Sequence, residues 1–133
     1  MNAPSSAQHL MPAIALRDVP QALIDTLKSH FGDRCSTAMA VREQHGRDES
    51  AYTTVPPPAA VVFAESTDDV AFTVKHAAAH QVPIIPFGAG TSFEGHVNAP
   101  WGGVSIDTRE MNRVLAIHSE DLDCVIEPGI TRK

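Results

Sequence analysis

A chain of 133 residues with 43% hydrophobic content can bury one ordinary core, which excludes disorder over its whole length. Its net charge of -6, with Lys and Arg scattered along the chain, excludes nucleic acid and anionic membrane surfaces as partners, because neither attracts a chain without a basic patch. The two cysteines, Cys35 and Cys124, lack CxxC or metal-ligand spacing and read as free thiols of a reducing compartment.

No apolar run reaches the length of a membrane span, and the N-terminus has no secretory pattern. The expected location is the cytoplasm, with peripheral attachment to a membrane left open. Residues 1–19, rich in Ala, Ser and Pro, are expected to form a flexible leader. Residues 20–55 form an N-terminal helical segment and loop. In "PQALIDTLKSHFG", Leu23, Ile24, Leu27 and Phe31 recur at helical spacing between an opening Pro20 and a closing Gly32. The following "DRCSTAMAVREQHGRDESAYTTVPPP" offers only a short helix and a loop, and Pro56, Pro57 and Pro58 mark the start of a compact unit over 56–133.

In that unit "AAVVFAE" predicts a buried strand. "STDDVAFTVKHAAAHQ" predicts a helix capped by Ser66 or Thr67, with Asp68 and Asp69 in the first turn and Val70, Val74 and Ala77 or Ala78 on the apolar face. "VPIIPF" predicts a second strand, most simply parallel to the first. "GVSIDT", "VLAIH" and "CVIEPG" follow as strands, the last two joined in a hairpin by "SEDLD". The chain stops at "GITRK", directly after a Pro-Gly turn, which reads as a fragment of a larger protein.

Gly88, Gly90 and Gly95 stand where "VPIIPFGAGTSFEGH" leaves its strand. Removing Cβ atoms at the end of a parallel strand lets backbone N–H groups approach an anion, and Thr91 and Ser92 add hydroxyl donors. Spacing alone leaves a plain tight turn as an equal alternative. A Walker loop is excluded, since no lysine occurs between Lys75 and Lys133. A Rossmann fingerprint is excluded too: Phe93 occupies the third glycine position, and "HVNAPWGG" cannot continue as a helix.

"HGRDESAYTTVPPPAAVVFAESTDDV", "VPIIPFGAGTSFEGHVNAPWGGVSIDT" and "MNRVLAIHSEDLDCVIEPGITRK" together resemble the N-terminal part of the FAD-linked, cytochrome-type D-lactate dehydrogenases and of the flavin-carrying glycolate oxidases. These belong to the vanillyl-alcohol oxidase-like flavoproteins. The resemblance implies an α+β fold, the first subdomain of a PCMH-type FAD-binding domain, with a small mixed sheet and flanking helices. It implies that Pro86, Gly88, Ala89, Gly90, Thr91 and Ser92 wrap the FAD pyrophosphate, with Gly95 just beyond and Pro128 and Gly129 at a second turn near the cofactor. Ala89 stands where a glycine is often found. Thr91 stands where some relatives carry a histidine that binds FAD covalently, so non-covalent FAD is expected, with His96 the remaining candidate for attachment.

The implied reaction oxidises a D-2-hydroxy acid, with electrons passing through FAD to a cytochrome or quinone. The substrate and metal residues of that family lie in its C-terminal region, so no catalytic or metal-binding residue is nominated here. A second class is a truncated, non-catalytic nucleotide-binding or structural fragment, whose open sheet edge would favour self-association.

The remaining candidates have ordinary structural explanations. His76 and His80 have metal-compatible helical spacing but no third ligand nearby, and a solvated helix face is preferred. Glu120, Asp121 and Asp123 suit a hairpin turn. Glu94 and His96 could form an acid/base pair, with loop shaping preferred. His45, Arg47, Asp48 and Glu49 read as an ion-paired loop anchoring the N-terminal segment. Trp101 either covers the cofactor or packs.

Overall fold

The computed structural model describes residues 16–49 and 55–131. Most of the leader expected over 1–19 and part of the loop before Pro56 lie outside the described residues.

Helix α1 spans Gln21–Phe31 after Pro20, and buries Leu23, Ile24, Leu27 and Phe31, the four residues set by its period. It ends at Gly32, whose φ of 57° a side chain would resist and whose N–H donates to Lys28 O. A two-residue strand β1, Cys35–Ser36, then precedes helix α2, Met39–His45. The sequence carries no signal for β1, because two residues are too few to show an alternation.

Strand β2, Ala60–Phe63, leads into helix α3, Thr67–Ala79, and then to strand β3, Ile84–Phe87. Ser66 is the cap of α3, its side chain accepting the Asp69 N–H. Strand β4, Val104–Asp107, inserts between β2 and β3, giving a sheet in the order β1-β2-β4-β3. β4 is parallel to both neighbours, while β1 is antiparallel to β2. The expected parallel direction of β2 and β3 therefore holds, although they do not pair with each other.

One face of the sheet carries Ala60, Val62 and Val104, which pack with the buried α1 side chains and with Ala77 of α3. Residues on both sides of Pro56–Pro58 share this core. The buried face of α3 is rotated from the expected one. Thr73 and Ala77 are buried and Phe72 joins the core, whereas Val74 is 43% exposed and Ala78 is exposed. The cause is α1: His30 stacks on Phe72 with centroids 3.6 Å apart, and Phe31 meets the same ring edge-on. Thr73 tolerates burial because its hydroxyl donates to Asp69 O at 2.9 Å.

The opposite face carries Phe63, Phe87 and Asp107 in register, and His45 at the end of α2 lies against both phenylalanine rings. A second, antiparallel sheet pairs β5, Val114–His118, with β6, Asp123–Ile126, through the expected hairpin. Its side chains are largely exposed, including Leu115, Ile117, Val125 and Ile126. Among the described residues no helix is long and apolar enough to cross a membrane.

Candidate cofactor site at the carboxyl edge of the sheet

Strands β3 and β4 run parallel and leave the sheet at one level, where Thr108 N donates to Phe87 O at 3.0 Å. In open parallel sheets this carboxyl edge is where ligands bind. Pro86 sits in β3, the edge strand, opposite Ile106. Its missing N–H is tolerated there because one side of the strand has no sheet partner.

The glycines after β3 have different physical causes. A Cβ at Gly88 would meet nothing within 4 Å, so the fold itself leaves open space beside this backbone. Gly90 has φ 72°, and a Cβ there would come within 2.8 Å of the Phe87 ring; internal packing and conformation demand this glycine. Gly95 also has positive φ, at 76°. Among the described residues the amides of Gly88, Ala89, Gly90 and Thr91 have no hydrogen-bond partner, leaving a run of donors free for an anion.

The far limb of the loop is held from outside. Asp48 Oδ2 accepts from Ser92 Oγ at 2.7 Å and from Gly95 N at 3.0 Å, and Glu49 N donates to Ser92 O at 3.1 Å. Ser92 Oγ and Gly95 N, expected beside the pyrophosphate, are thus engaged with a carboxylate of this chain.

The end of β4 is a closed charge network. Asp107, 2% exposed, receives His45 Nε2 at 2.9 Å on Oδ2, while His45 Nδ1 donates to Val41 O at 2.8 Å. Arg109 Nη2 reaches Asp107 Oδ2 at 2.6 Å, and the Arg109 backbone N–H donates to Oδ1 at 2.9 Å. Burial pushes the Asp107 carboxyl up, but the hydrogen bonds from His45 and Arg109 and the Arg109 charge outweigh it and bring the pKa down to about 2. The Arg109 guanidinium, half exposed, lies 5.6 Å from the centre of the Phe87 ring.

Pro128 and Gly129 follow β6 and return to the same edge. Gly129 N donates to Met111 O at 2.8 Å, and a Cβ at Gly129 would run into the carbonyl oxygens of Thr108, Arg109 and Met111. Arg113 closes the base of the hairpin, its Nη2 2.6 Å from Glu127 Oε1.

A cleft of about 290 Å³ flanks the loop along β3, lined in part by Ile84, Pro86, Gly95, His96, Asn98 and Trp101. Trp101 is half exposed there. His96 and Glu94 are both exposed, and no hydrogen bond joins them among the described residues.

Other candidates are placed individually. His76 packs on Phe72 at 4.3 Å, and His80 is the exposed C-cap of α3. His118 Nδ1 pairs with Asp123 Oδ1 at 2.5 Å across the exposed hairpin. Among the described residues no three His, Cys, Asp or Glu side chains gather as a metal site. Cys35 is buried and Cys124 exposed, both free; burial raises the Cys35 thiol.

The expectation of a surface ion-paired loop from His45 to Glu49 is corrected for two of its members. His45 is a buried helix-end residue, because the last turn of α2 lies on the sheet between Phe63 and Phe87. Asp48 holds the glycine loop through Ser92 and Gly95. Sequence reasoning also missed Asp107 and Arg109, whose only local signal is an Asp at a strand end followed two residues later by Arg.

Comparison with known proteins agrees with this geometry. A model of the family described as FAD binding domain matches residues 58–133. The chain is 45% identical over 114 residues to the probable mitochondrial D-lactate dehydrogenase of Danio rerio, covering 85% of this chain and 23% of that protein. It is 42% identical over 115 residues to the mitochondrial D-lactate dehydrogenase [cytochrome] of Arabidopsis thaliana, covering 86% of this chain and 20% of that one. Among solved structures, an alkyldihydroxyacetonephosphate synthase superposes with a TM-score of 0.71 at 27% identity, over 87% of this chain and 26% of its own. A substrate-bound p-cresol methylhydroxylase, 21% identical, shares the fold with a TM-score of 0.73 over 90% of this chain and 25% of its own. The expected small mixed sheet with flanking helices is the fold these neighbours share. The chain spans about a quarter or less of the length of the relatives it matches. With the family match covering more than half of its residues, the chain belongs to the FAD binding domain family.

Proposed function

We propose that this chain holds the diphosphate of FAD in an oxidoreductase that converts a D-2-hydroxy acid, D-lactate or glycolate, into the 2-oxo acid. The observation that carries the site is the run of partnerless amides from Gly88 to Thr91 beside the open Cβ side of Gly88, at the carboxyl edge of a parallel sheet. Such a cradle suits a phosphate group. The substrate class follows the names of the relatives, two D-lactate dehydrogenases and a glycolate oxidase chain, GlcD, of Bacillus subtilis.

In this reading Pro86, Gly88, Ala89, Gly90, Thr91 and Ser92 form the cofactor loop, with Gly95 at its far limb and Pro128 and Gly129 at the neighbouring turn. FAD is held without a covalent bond, Thr91 offering no nucleophilic ring nitrogen. The flavin supplies the redox chemistry, and electrons leave it for a cytochrome or quinone. This chain's own residues bind and orient: the loop amides offset phosphate charge, and the Asp107 network keeps the edge rigid beneath them.

The test is FAD titration of the apoprotein carrying Gly88→Asp. A carboxylate placed among phosphate-binding amides should repel the diphosphate, so FAD affinity falls by at least about tenfold. Unchanged affinity would show that the cofactor lies elsewhere.

A further inference from the structure

We infer that Asp48 is a positioning residue for the cofactor loop, fixing its far limb so that the amides of residues 88–91 stay free for the diphosphate. The inference rests on the loop reading above. The near limb of the loop is fixed by β3, which pairs with β4 up to Phe87. Beyond Ser92 the loop leaves the sheet and needs a second anchor. Asp48 supplies it with one oxygen, Oδ2, which accepts both the Ser92 hydroxyl and the Gly95 amide, while Glu49 adds a backbone bond to Ser92 O.

The anchor is itself tied to the sheet. Three residues earlier His45 contacts Asp107 at 2.9 Å, and Arg42 Nε donates to Pro58 O at 2.6 Å. Gly46 packs so closely that a Cβ would lie 3.0 Å from Pro57 Cα. The end of α2 is therefore a rigid strut between the buried network and the loop.

A negative charge beside an anion site opposes ligand binding, so the carboxylate must serve geometry. Ionised acceptors make stronger hydrogen bonds than neutral ones, and here both bonds fall on one oxygen. An amide oxygen can accept the same two bonds without the charge. Asp48→Asn therefore separates the two effects: it keeps the clamp and removes the repulsion. Asp48→Ala removes both, leaving the Glu49 backbone bond in place.

The experiment is FAD titration of the full-length apoprotein for Asp48→Ala, Asp48→Asn and Gly88→Asp, with hydrogen exchange followed over residues 88–96. Asp48→Ala should raise the FAD dissociation constant at least about tenfold, the loss expected when charged hydrogen bonds are removed, with faster exchange confined to the loop. Asp48→Asn should stay within about threefold of the unmodified protein or bind more tightly. Unchanged affinity in Asp48→Ala, with affinity lost in Gly88→Asp, would overturn the clamp alone. Unchanged affinity in Gly88→Asp would overturn the loop reading and the clamp with it. Global unfolding of both Asp48 variants would also overturn the clamp, by making Asp48 a residue of the fold.

Discussion

Strands β3 and β4 lie side by side in one parallel sheet and end at the same level, yet their ends are built in opposite ways. After β4 every charge is answered: Asp107 is buried and takes hydrogen bonds from His45 and Arg109. After β3 the backbone is left unanswered, with amides free from Gly88 to Thr91 and open space beside Gly88. Buried polar groups are costly unless satisfied, so the first end stabilises the fold. The second keeps its donors for something the fold does not contain.

Asp107→Ala should break the comparison most severely. It strands His45 in an apolar pocket between two phenylalanine rings and deprives Arg109 of its partner, with an expected loss of about 3–5 kcal/mol in denaturant unfolding. A loss no larger than that of a surface substitution would show that the β4 end is not the stabilising one.

Acid should weaken the same end by a smaller amount. The folded pKa of Asp107, about 2, lies below the ordinary 3.8, so its contribution is fully present above pH 3.8 and is lost as pH falls from there to about 2. The expected loss is about 2 kcal/mol, read from unfolding curves at successive pH values and absent from Asp107→Asn.

The two loop glycines sharpen the contrast. Gly90→Ala meets both a positive φ and the Phe87 ring, and should cost about 1–3 kcal/mol of stability. Gly88→Ala meets neither, and its thermal midpoint should shift by no more than about 0.5 kcal/mol allows, while its FAD affinity falls. If Gly88→Ala destabilised the protein as much as Gly90→Ala, the distinction between a glycine for the fold and a glycine for the ligand would collapse.

Where neighbours in the chain decide structure, the reading from sequence was accurate. Leu23, Ile24, Leu27 and Phe31 form the buried stripe of α1, Ser66 caps α3, and "SEDLD" turns the β5-β6 hairpin, because helical period, capping and turn chemistry act over a few residues. The position of the glycine segment at the end of a strand was legible for the same reason. The face of α3 was not, since the α1 rings that draw Phe72 and Thr73 inward are remote in sequence.

The sequence by itself determined the helices, the strands longer than two residues and the placement of Gly88 and Gly90 just past β3. Only the tertiary structure decided that β4 enters between β2 and β3, that His45 is buried on Asp107, and that Asp48 holds Ser92. The last two contacts join residues 62 and 44 positions apart. Pairings of that range depend on how the sheet stacks its strands and on which end of α2 meets it, and no local periodicity records either.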